Sequence, residues 1–365
     1  MSDFDVAIIG AGIAGASLAW FLRQRSGGRL RVALIEAEDS AGYHTTGRSA
    51  AFWVESYGGP AIVPLSRASR AFLDAPPPGF AAEPLLSPRP ALHLAPPDDA
   101  NALPLLAAEL DASGVDWQRL GPAEILGIAP MLRPEWAREA LYEPDCHDID
   151  VAALHQGFLR GATLLRGARV TGMARRGGRW MLATTAGAIT ATTVVNAAGA
   201  WADGVAALAG ARPLGLQPMR RTMAVLTLDP PPPASLPVVF DAAGRFYFKP
   251  DGPRLWLSPH DETPDVAHDV RPDELDLATV IDRFERAVTS RVVRLEHSWA
   301  GLRTFAPDRV PVYGWDAAVP GFFWCAGQGG IGIQTAPAAG DLAAALLLGE
   351  QPRVEAGAYL AGRFG

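Results

Sequence analysis

The stretch from the N-terminus to Glu36 constrains this chain more than any other. Asp5-Val6-Ala7-Ile8-Ile9 reads as a short apolar strand, and Gly10-Ala11-Gly12-Ile13-Ala14-Gly15 follows at once. Ala16 to Arg25 has helical apolar spacing, and Arg31-Val32-Ala33-Leu34-Ile35-Glu36 reads as a second strand ending in an acid. Each residue type has a physical task. Gly10 permits a tight turn, Gly12 lets backbone approach a pyrophosphate, and Gly15 lets the helix pack close to the strand. A pyrophosphate is held at the helix N-terminus, where unpaired N–H groups and the dipole favour negative charge. Glu36 follows the last glycine by about twenty residues, where an acid accepts hydrogen bonds from a ribose diol. A glycine triplet alone is weak evidence. Strand, triplet, helix, strand and acid together predict dinucleotide binding.

At 365 residues, 49% hydrophobic and 19% charged, the chain is long and apolar enough for two domains or one large elaborated one. The net charge is −7 with no basic run, which argues against nucleic acid as a partner. Lys249 is the only lysine, so nearly all the positive charge is arginine. Cys146 and Cys325 make neither a disulfide framework nor a metal cluster, and no metal site is expected. No cleavable leader pattern and no spanning apolar segment is visible, so a cytoplasmic protein is expected, with peripheral membrane contact left open.

The same design recurs further on. Strands are expected around Ala168-Arg169-Val170, over Arg179–Thr185 and over Ile189–Thr193, and Val194-Val195-Asn196 then leads into Ala197-Ala198-Gly199-Ala200-Trp201. Gly321–Ala326 reads as a strand, Gly327–Gly332 as a glycine loop and Thr335–Leu348 as a helix. Three widely separated strand–small-residue–helix units imply a cofactor domain assembled from segments. The stretches between have antiparallel character. Pro230–Pro233 marks a stiff turn, and Asp273–Val288 reads as an amphipathic helix with Leu275, Leu277, Ile281 and Phe284 on its apolar stripe. The expected fold class is mixed α/β. A Rossmann-like dinucleotide domain (residues 1–84, 143–215 and 299–365) carries an inserted antiparallel-sheet substrate domain (85–142 and 216–298).

Gly42-Tyr43-His44-Thr45-Thr46-Gly47-Arg48-Ser49-Ala50-Ala51, with the opening glycine motif, Asn196–Trp201 and Gly329-Gly330-Ile331-Gly332-Ile333-Gln334-Thr335, resembles the D-amino-acid oxidase (DAO) superfamily of flavoenzymes. Within it the likeness is to the bacterial D-arginine dehydrogenase branch, and it runs over nearly the whole chain. The resemblance implies non-covalent FAD in a glutathione-reductase-type domain, with the flavin ring at the interface of the two domains. His44 to Ala51 would run beside that ring, and Gly329 to Thr335 would present N–H groups to its pyrimidine end, with Gly332 in the catalytic set. A helix start there favours the negative charge of a reduced flavin. Ile13, Ala14, Ala37, Ala197, Ala198, Gly199 and Trp201 complete the expected cofactor contacts, with Val170 meeting the adenine.

An amino-acid substrate brings a carboxylate, which a planar guanidinium fork holds bidentately. By resemblance, Arg221, Arg303 and Tyr247 hold it while Tyr57 covers the pocket from a loop, and Arg220 is the neighbour most easily confused with Arg221. Where the D-arginine branch has a glutamate, this chain has Ala91, and where it has a histidine, this chain has Phe52. A guanidinium buried without its counter-charge costs several kcal/mol. Ala91 and Phe52 therefore predict an apolar pocket that disfavours D-arginine, with Glu55 the one nearby acid that could restore affinity for a cation. His44 is the nearest imidazole in this reading, and Lys249 sits two residues from Tyr247 on the same strand face.

The expected reaction is oxidative deamination of a D-amino acid with a neutral or apolar side chain. Hydride passes from Cα to the flavin, and water converts the imine to a 2-oxo acid and ammonia. A quinone-type carrier or oxygen takes the electrons. Oxidation of a 2-hydroxy acid or of a secondary amine such as sarcosine uses the same geometry, and a non-catalytic flavoprotein subunit is the remaining alternative.

Overall fold

The computed structural model describes residues 2–364. Its first sheet is parallel at the centre: Ser2–Ile9 lies between Val32–Ile35 and Gly187–Asn196, with Thr163–Leu165 outside Val32–Ile35. Phe322–Ala326 runs parallel to the end of Gly187–Asn196, and Val312–Trp315 pairs antiparallel beyond it. The beginning of Gly187–Asn196 instead pairs antiparallel with Arg179–Thr184, which pairs with Val170–Arg176. The two strands expected at 189–193 and 194–196 are thus one continuous strand. The strand expected around Ala168 begins only at Val170, separate from Thr163–Leu165.

Helix Ile13–Arg25 is apolar around most of its circumference because it is covered on most sides, with Leu18 and Leu22 fully buried. Each such leucine contributes about 1.5–3 kcal/mol of burial. The helix packs on Ala336–Leu348, where Gly340 permits close approach: a Cβ there would lie 2.9 Å from Phe21 and Ser17. Arg25 closes the far end by pairing with Asp341 at 2.8 Å.

The second sheet is built on Gln217–Asp229, which pairs antiparallel along its whole length with Arg291–Phe305. On its other edge it meets Arg254–Ser258 and Thr263–Pro264, and the sheet continues through Tyr247–Asp251, Val238–Asp241, Ala91–Leu94, Ala140–Glu143 and Gln118–Leu120. Arg291–Phe305 stays in this sheet past residue 299, so the expected boundary falls inside a strand. Helix Glu274–Ala287 begins one residue later than expected because Asp273 caps it, accepting from the Leu275 and Asp276 amides. Its buried stripe is Leu277, Val280, Phe284 and Ala287, whereas Leu275 is exposed.

A small sheet of Phe52–Trp53, His147–Ile149 and Leu86–Pro88 lies beside the second one. Asp148 ties them together, accepting from Lys249 at 2.6 Å and from Arg89 at 2.9 Å. Lys249 is therefore buried and paired rather than solvated. No helix among the described residues is long and apolar enough to cross a membrane.

Candidate active site

The glycine turn at the head of Ile13–Arg25 is shaped by contacts that leave no room for side chains. Gly10 has φ +104°, and a Cβ there would collide with the Ala197 carbonyl oxygen. A Cβ on Gly15 would collide with the Gly10 carbonyl, which is why the helix can start so close to the strand. Thr46 accepts from the Ile13 amide at 3.0 Å, and Glu36 accepts from the Ala11 and Glu38 amides, both at 3.0 Å. His155, which carried no signal in the sequence, bonds through Nε2 to the Ala11 carbonyl at 2.8 Å and fills the space beneath Gly42.

Above this turn lies a cavity of about 370 Å³. Gly10, Gly12, Glu36, Ala37, His44, Thr45 and Thr46 form one side, and Val170 with Ala197 to Trp201 forms the other. His44 belongs here: its Nε2 lies 3.1 Å from Glu38 and its ring leans on Trp201 at 4.7 Å. It does not line the neighbouring cavity.

A second cavity of about 120 Å³ abuts the first, sharing Gly12, Thr45, Thr46, Ala197 and Gly199. Ile13, Ala14, Arg48, Ser49 and Ala50 line one side; Arg221, Met223, Tyr247 and Arg303 line another; Gly329, Gly330, Gly332 and Ile333 close it. Arg48 contributes its stem only. Its guanidinium turns away to the Val270 and Ala300 carbonyls and to Asp269, binding separate segments together.

The two arginines come from paired strands, with Arg221 on Gln217–Asp229 and Arg303 on Arg291–Phe305. Strand alternation separates Arg220 from Arg221. Arg220 pairs with Asp276 at 2.7 Å, outside the cavity. Arg221 is 5% exposed, and its Nε and Nη1 have no hydrogen-bond partner. Only its Nη2 is engaged, by Glu262 at 3.1 Å. Burial, reinforced by the Arg303 charge, pulls the Arg221 guanidinium below its ordinary range. Arg303 donates to the Tyr57 hydroxyl at 2.8 Å, and both side chains lie against the open face of Gly330. Burial pushes Tyr57 up, but Arg303 and Arg221 outweigh it and the net shift is downward.

Several expected contacts lie elsewhere. Phe52 and Ala91 do not reach the cavity, because Tyr247 and Met223 form its wall and Phe52 packs edge-on behind Tyr247 at 5.8 Å. The Tyr247 hydroxyl is directed at Met223 Sδ, 3.2 Å away. Glu55 pairs with Arg67 and faces away. Ile331, Gln334 and Thr335 sit behind the glycine loop: Ile331 packs under Gly58, and Thr335 bonds back to the Ile331 carbonyl. Gln334 accepts from the Val54 amide and donates to the Tyr57 carbonyl, fastening the loop that bears Tyr57. Gly47 and Ala51 serve the backbone, Gly47 in a tight turn onto Gly42 and Ala51 accepting from Ile149.

The turn Pro259–Glu262 was invisible in the sequence, yet it flanks the clamp. His260, at φ +54°, packs edge-on against Tyr247 at 5.4 Å. Asp261 accepts from the Thr222 amide and hydroxyl. Burial, then the Arg221 and Arg303 charges, hold the His260 pKa well below its ordinary value, and burial lowers that of His155. Both imidazoles resist protonation in the fold, whereas an unfolded chain takes up those protons below about pH 6.5. Stability is therefore retained above that pH and lost as pH falls through it. The melting temperature should drop between about pH 7.5 and 5.5, and less steeply in His260→Asn. Equal slopes in both proteins would contradict the assignment.

The family model for DAO, FAD dependent oxidoreductase, matches residues 5–346. This chain belongs to the DAO family of FAD-dependent oxidoreductases. The hydrogen cyanide synthase subunit HcnC of Pseudomonas aeruginosa is 28% identical, over 99% of this chain and 96% of its own. Glycine oxidase of Geobacillus kaustophilus is 27% identical over 94% of this chain and 93% of its own. The crystal structure of that enzyme superposes with a TM-score of 0.85 at 25% identity, covering 99% of this chain and 98% of the other.

FAD, the cofactor of this DAO-family chain, fits the two cavities by chemistry and shape. Gly10 and Gly12 keep the turn free of side chains, and Gly12 caps the helix with no side chain of its own, a helix start that suits anionic oxygens. Gly329, Gly330, Gly332 and Ile333 line the second cavity, with the Gly329 amide already donated to the Thr304 carbonyl. Cys325 is buried with its thiol pushed up to about 12, which makes it a poor nucleophile for a covalent tether.

Proposed function

We propose that this protein oxidises the Cα–N bond of a small neutral amino acid, of D configuration where a side chain is present. FAD is held without a covalent bond. The observation that carries this reading is the pair of guanidinium side chains, Arg221 and Arg303, lining one narrow cavity, with Arg221 Nε and Nη1 buried and without partners. A buried guanidinium donor left unpaired is costly, and a carboxylate is its natural complement. The cavity wall carries no acid for a second guanidinium, which disfavours D-arginine. This departs from the D-arginine branch that the motifs resemble.

When bound, FAD supplies the hydride-accepting chemistry. Arg221 and Arg303 grip the carboxylate and so fix the α-carbon. Tyr57 holds Arg303 beside the cavity, while Tyr247 and Met223 limit the side chain. Gly332 and its neighbours on the cavity wall would hold the cofactor's pyrimidine end. Oxygen or a quinone-type carrier takes the electrons. The parts of the chain that meet the nucleotide (residues 1–84, 143–215 and the C-terminal segment) and the second sheet act as two domains around the cavity.

Secondary amines are a second reading, favoured by the mitochondrial dimethylglycine dehydrogenase of rat, 29% identical over 63% of this chain and 30% of its own length. Glycine, D-alanine, sarcosine and D-lactate, each assayed with oxygen and with an artificial acceptor, separate the possibilities. Ammonia and a 2-oxo acid from glycine or D-alanine are expected. Turnover of D-lactate alone would overturn the amine assignment.

A further inference from the structure

Among the described residues Glu262 is the one acid bonded to Arg221, and no acid is bonded to Arg303. Its Oε1 meets Arg221 Nη2 at 3.1 Å, and its Oε2 meets Arg309 Nη2 at 2.7 Å. Arg309 is half exposed and stacks over Phe305 at 4.0 Å, and the Phe305 ring in turn lies against Gly329. Glu262 does not line the cavity. It bonds Arg221 through Nη2 alone, and a third of its side chain reaches solvent. Its neighbour Asp261 is taken up by Thr222 and lies 3.7 Å from Arg220.

The charge arithmetic has a consequence for the ligand. Two guanidinium groups face the cavity, and one carboxylate sits against one of them. Glu262 divides its charge between Arg221 and Arg309, which lies off the cavity lining, so one incoming carboxylate offsets most of the charge that remains at the clamp. A second carboxylate on the same ligand would find no further free cation on the cavity wall, and it would feel the Glu262 charge in a poorly solvated place, where repulsion is strong.

We propose that Glu262 is a specificity-determining residue that restricts the clamp to ligands with one carboxylate and excludes dicarboxylic amino acids. It acts through Arg221, as a positioning and charge-setting group, and touches no reacting atom. The idea rests on the carboxylate clamp of the proposed function.

The test uses the FAD-loaded protein with acetate and malonate as probes, their binding read from perturbation of the flavin absorption band without turnover. In Glu262→Gln, malonate should bind about tenfold tighter relative to acetate than in the unsubstituted protein, the order of effect expected for one partly solvated charge. That gain should shrink at high salt. Glu262→Asp, which keeps the charge, should keep the original ratio. Arg309→Gln removes the partner that shares the Glu262 charge and should move the ratio the opposite way, a result that does not depend on how well Glu262→Gln folds. An unchanged malonate-to-acetate ratio in both Glu262→Gln and Arg309→Gln would overturn the role of Glu262. Failure of the unsubstituted protein to bind acetate at all would overturn the clamp itself, and the two failures are distinct.

Discussion

Replacing Arg303 by Met should reduce kcat/KM by about a thousandfold while leaving flavin content and melting temperature nearly unchanged. The substitution keeps the length of the stem and removes the fork. It deletes charge-assisted hydrogen bonds to a carboxylate in a closed cavity, where each is worth roughly twice a neutral one. It also removes the Arg303 Nη1 donor from the Tyr57 hydroxyl, 2.8 Å away. Together these amount to about 4 kcal/mol, three decades in kcat/KM. Lys at the same position should recover part of the loss, because it restores charge but not the fork. Steady-state kinetics on glycine and D-alanine, with the flavin-to-protein ratio measured alongside, checks this. A rise in KM of less than threefold in Arg303→Met would place substrate binding elsewhere.

The second large effect is expected at Gly10. Its φ of +104° is costly for any residue with a Cβ, and the added atom would press into the Ala197 carbonyl, which cannot yield without moving the neighbouring strand. Strain of this kind costs about 1–3 kcal/mol before the collision is counted. Gly10→Val should therefore lose FAD, with affinity falling more than about tenfold, the loss that 1.4 kcal/mol produces. Gly12→Ala should be milder, since its Cβ would stand 3.1 Å from the Thr46 hydroxyl, a side chain that can rotate away. Gly127→Ala, with nothing within 4 Å, should behave as the parent. Flavin absorbance per mole of folded protein ranks the three. Equal occupancy in all of them would remove the glycine turn from the cofactor site.

What was readable in the sequence was what local chemistry encodes. The opening strand, glycine turn and helix declare themselves because each glycine answers to a neighbour a few residues away, as Gly15 does to Gly10. Arg221 and Arg303 were separable from other arginines through the family motifs, and strand alternation accounts for the opposite fates of Arg220 and Arg221. The rest depends on segments distant in sequence. His155 reaches Ala11 across 144 positions, and Gln334 reaches Tyr57 across 277, so neither carries a local signature. Gln334 is a cofactor contact by family resemblance, yet its side chain is taken up by the Val54 amide, the Tyr57 carbonyl and the Ser66 hydroxyl. Phe52 and Ala91 were read as pocket residues by position in the motif, but Tyr247 stands between them and the cavity. The Pro259–Glu262 turn has the composition of an ordinary polar loop. Only pairing of its flanking strands with Gln217–Asp229 brings it to Arg221.

Anaerobic mixing of the purified yellow protein with excess glycine or D-alanine addresses the central claim most directly. Full bleaching of the flavin band, with one 2-oxo acid (after hydrolysis) and one ammonia formed per flavin, is the predicted result, and Arg303→Met should bleach far more slowly at the same concentration. A band that persists with every amine offered, or that bleaches equally fast in both proteins, would contradict it.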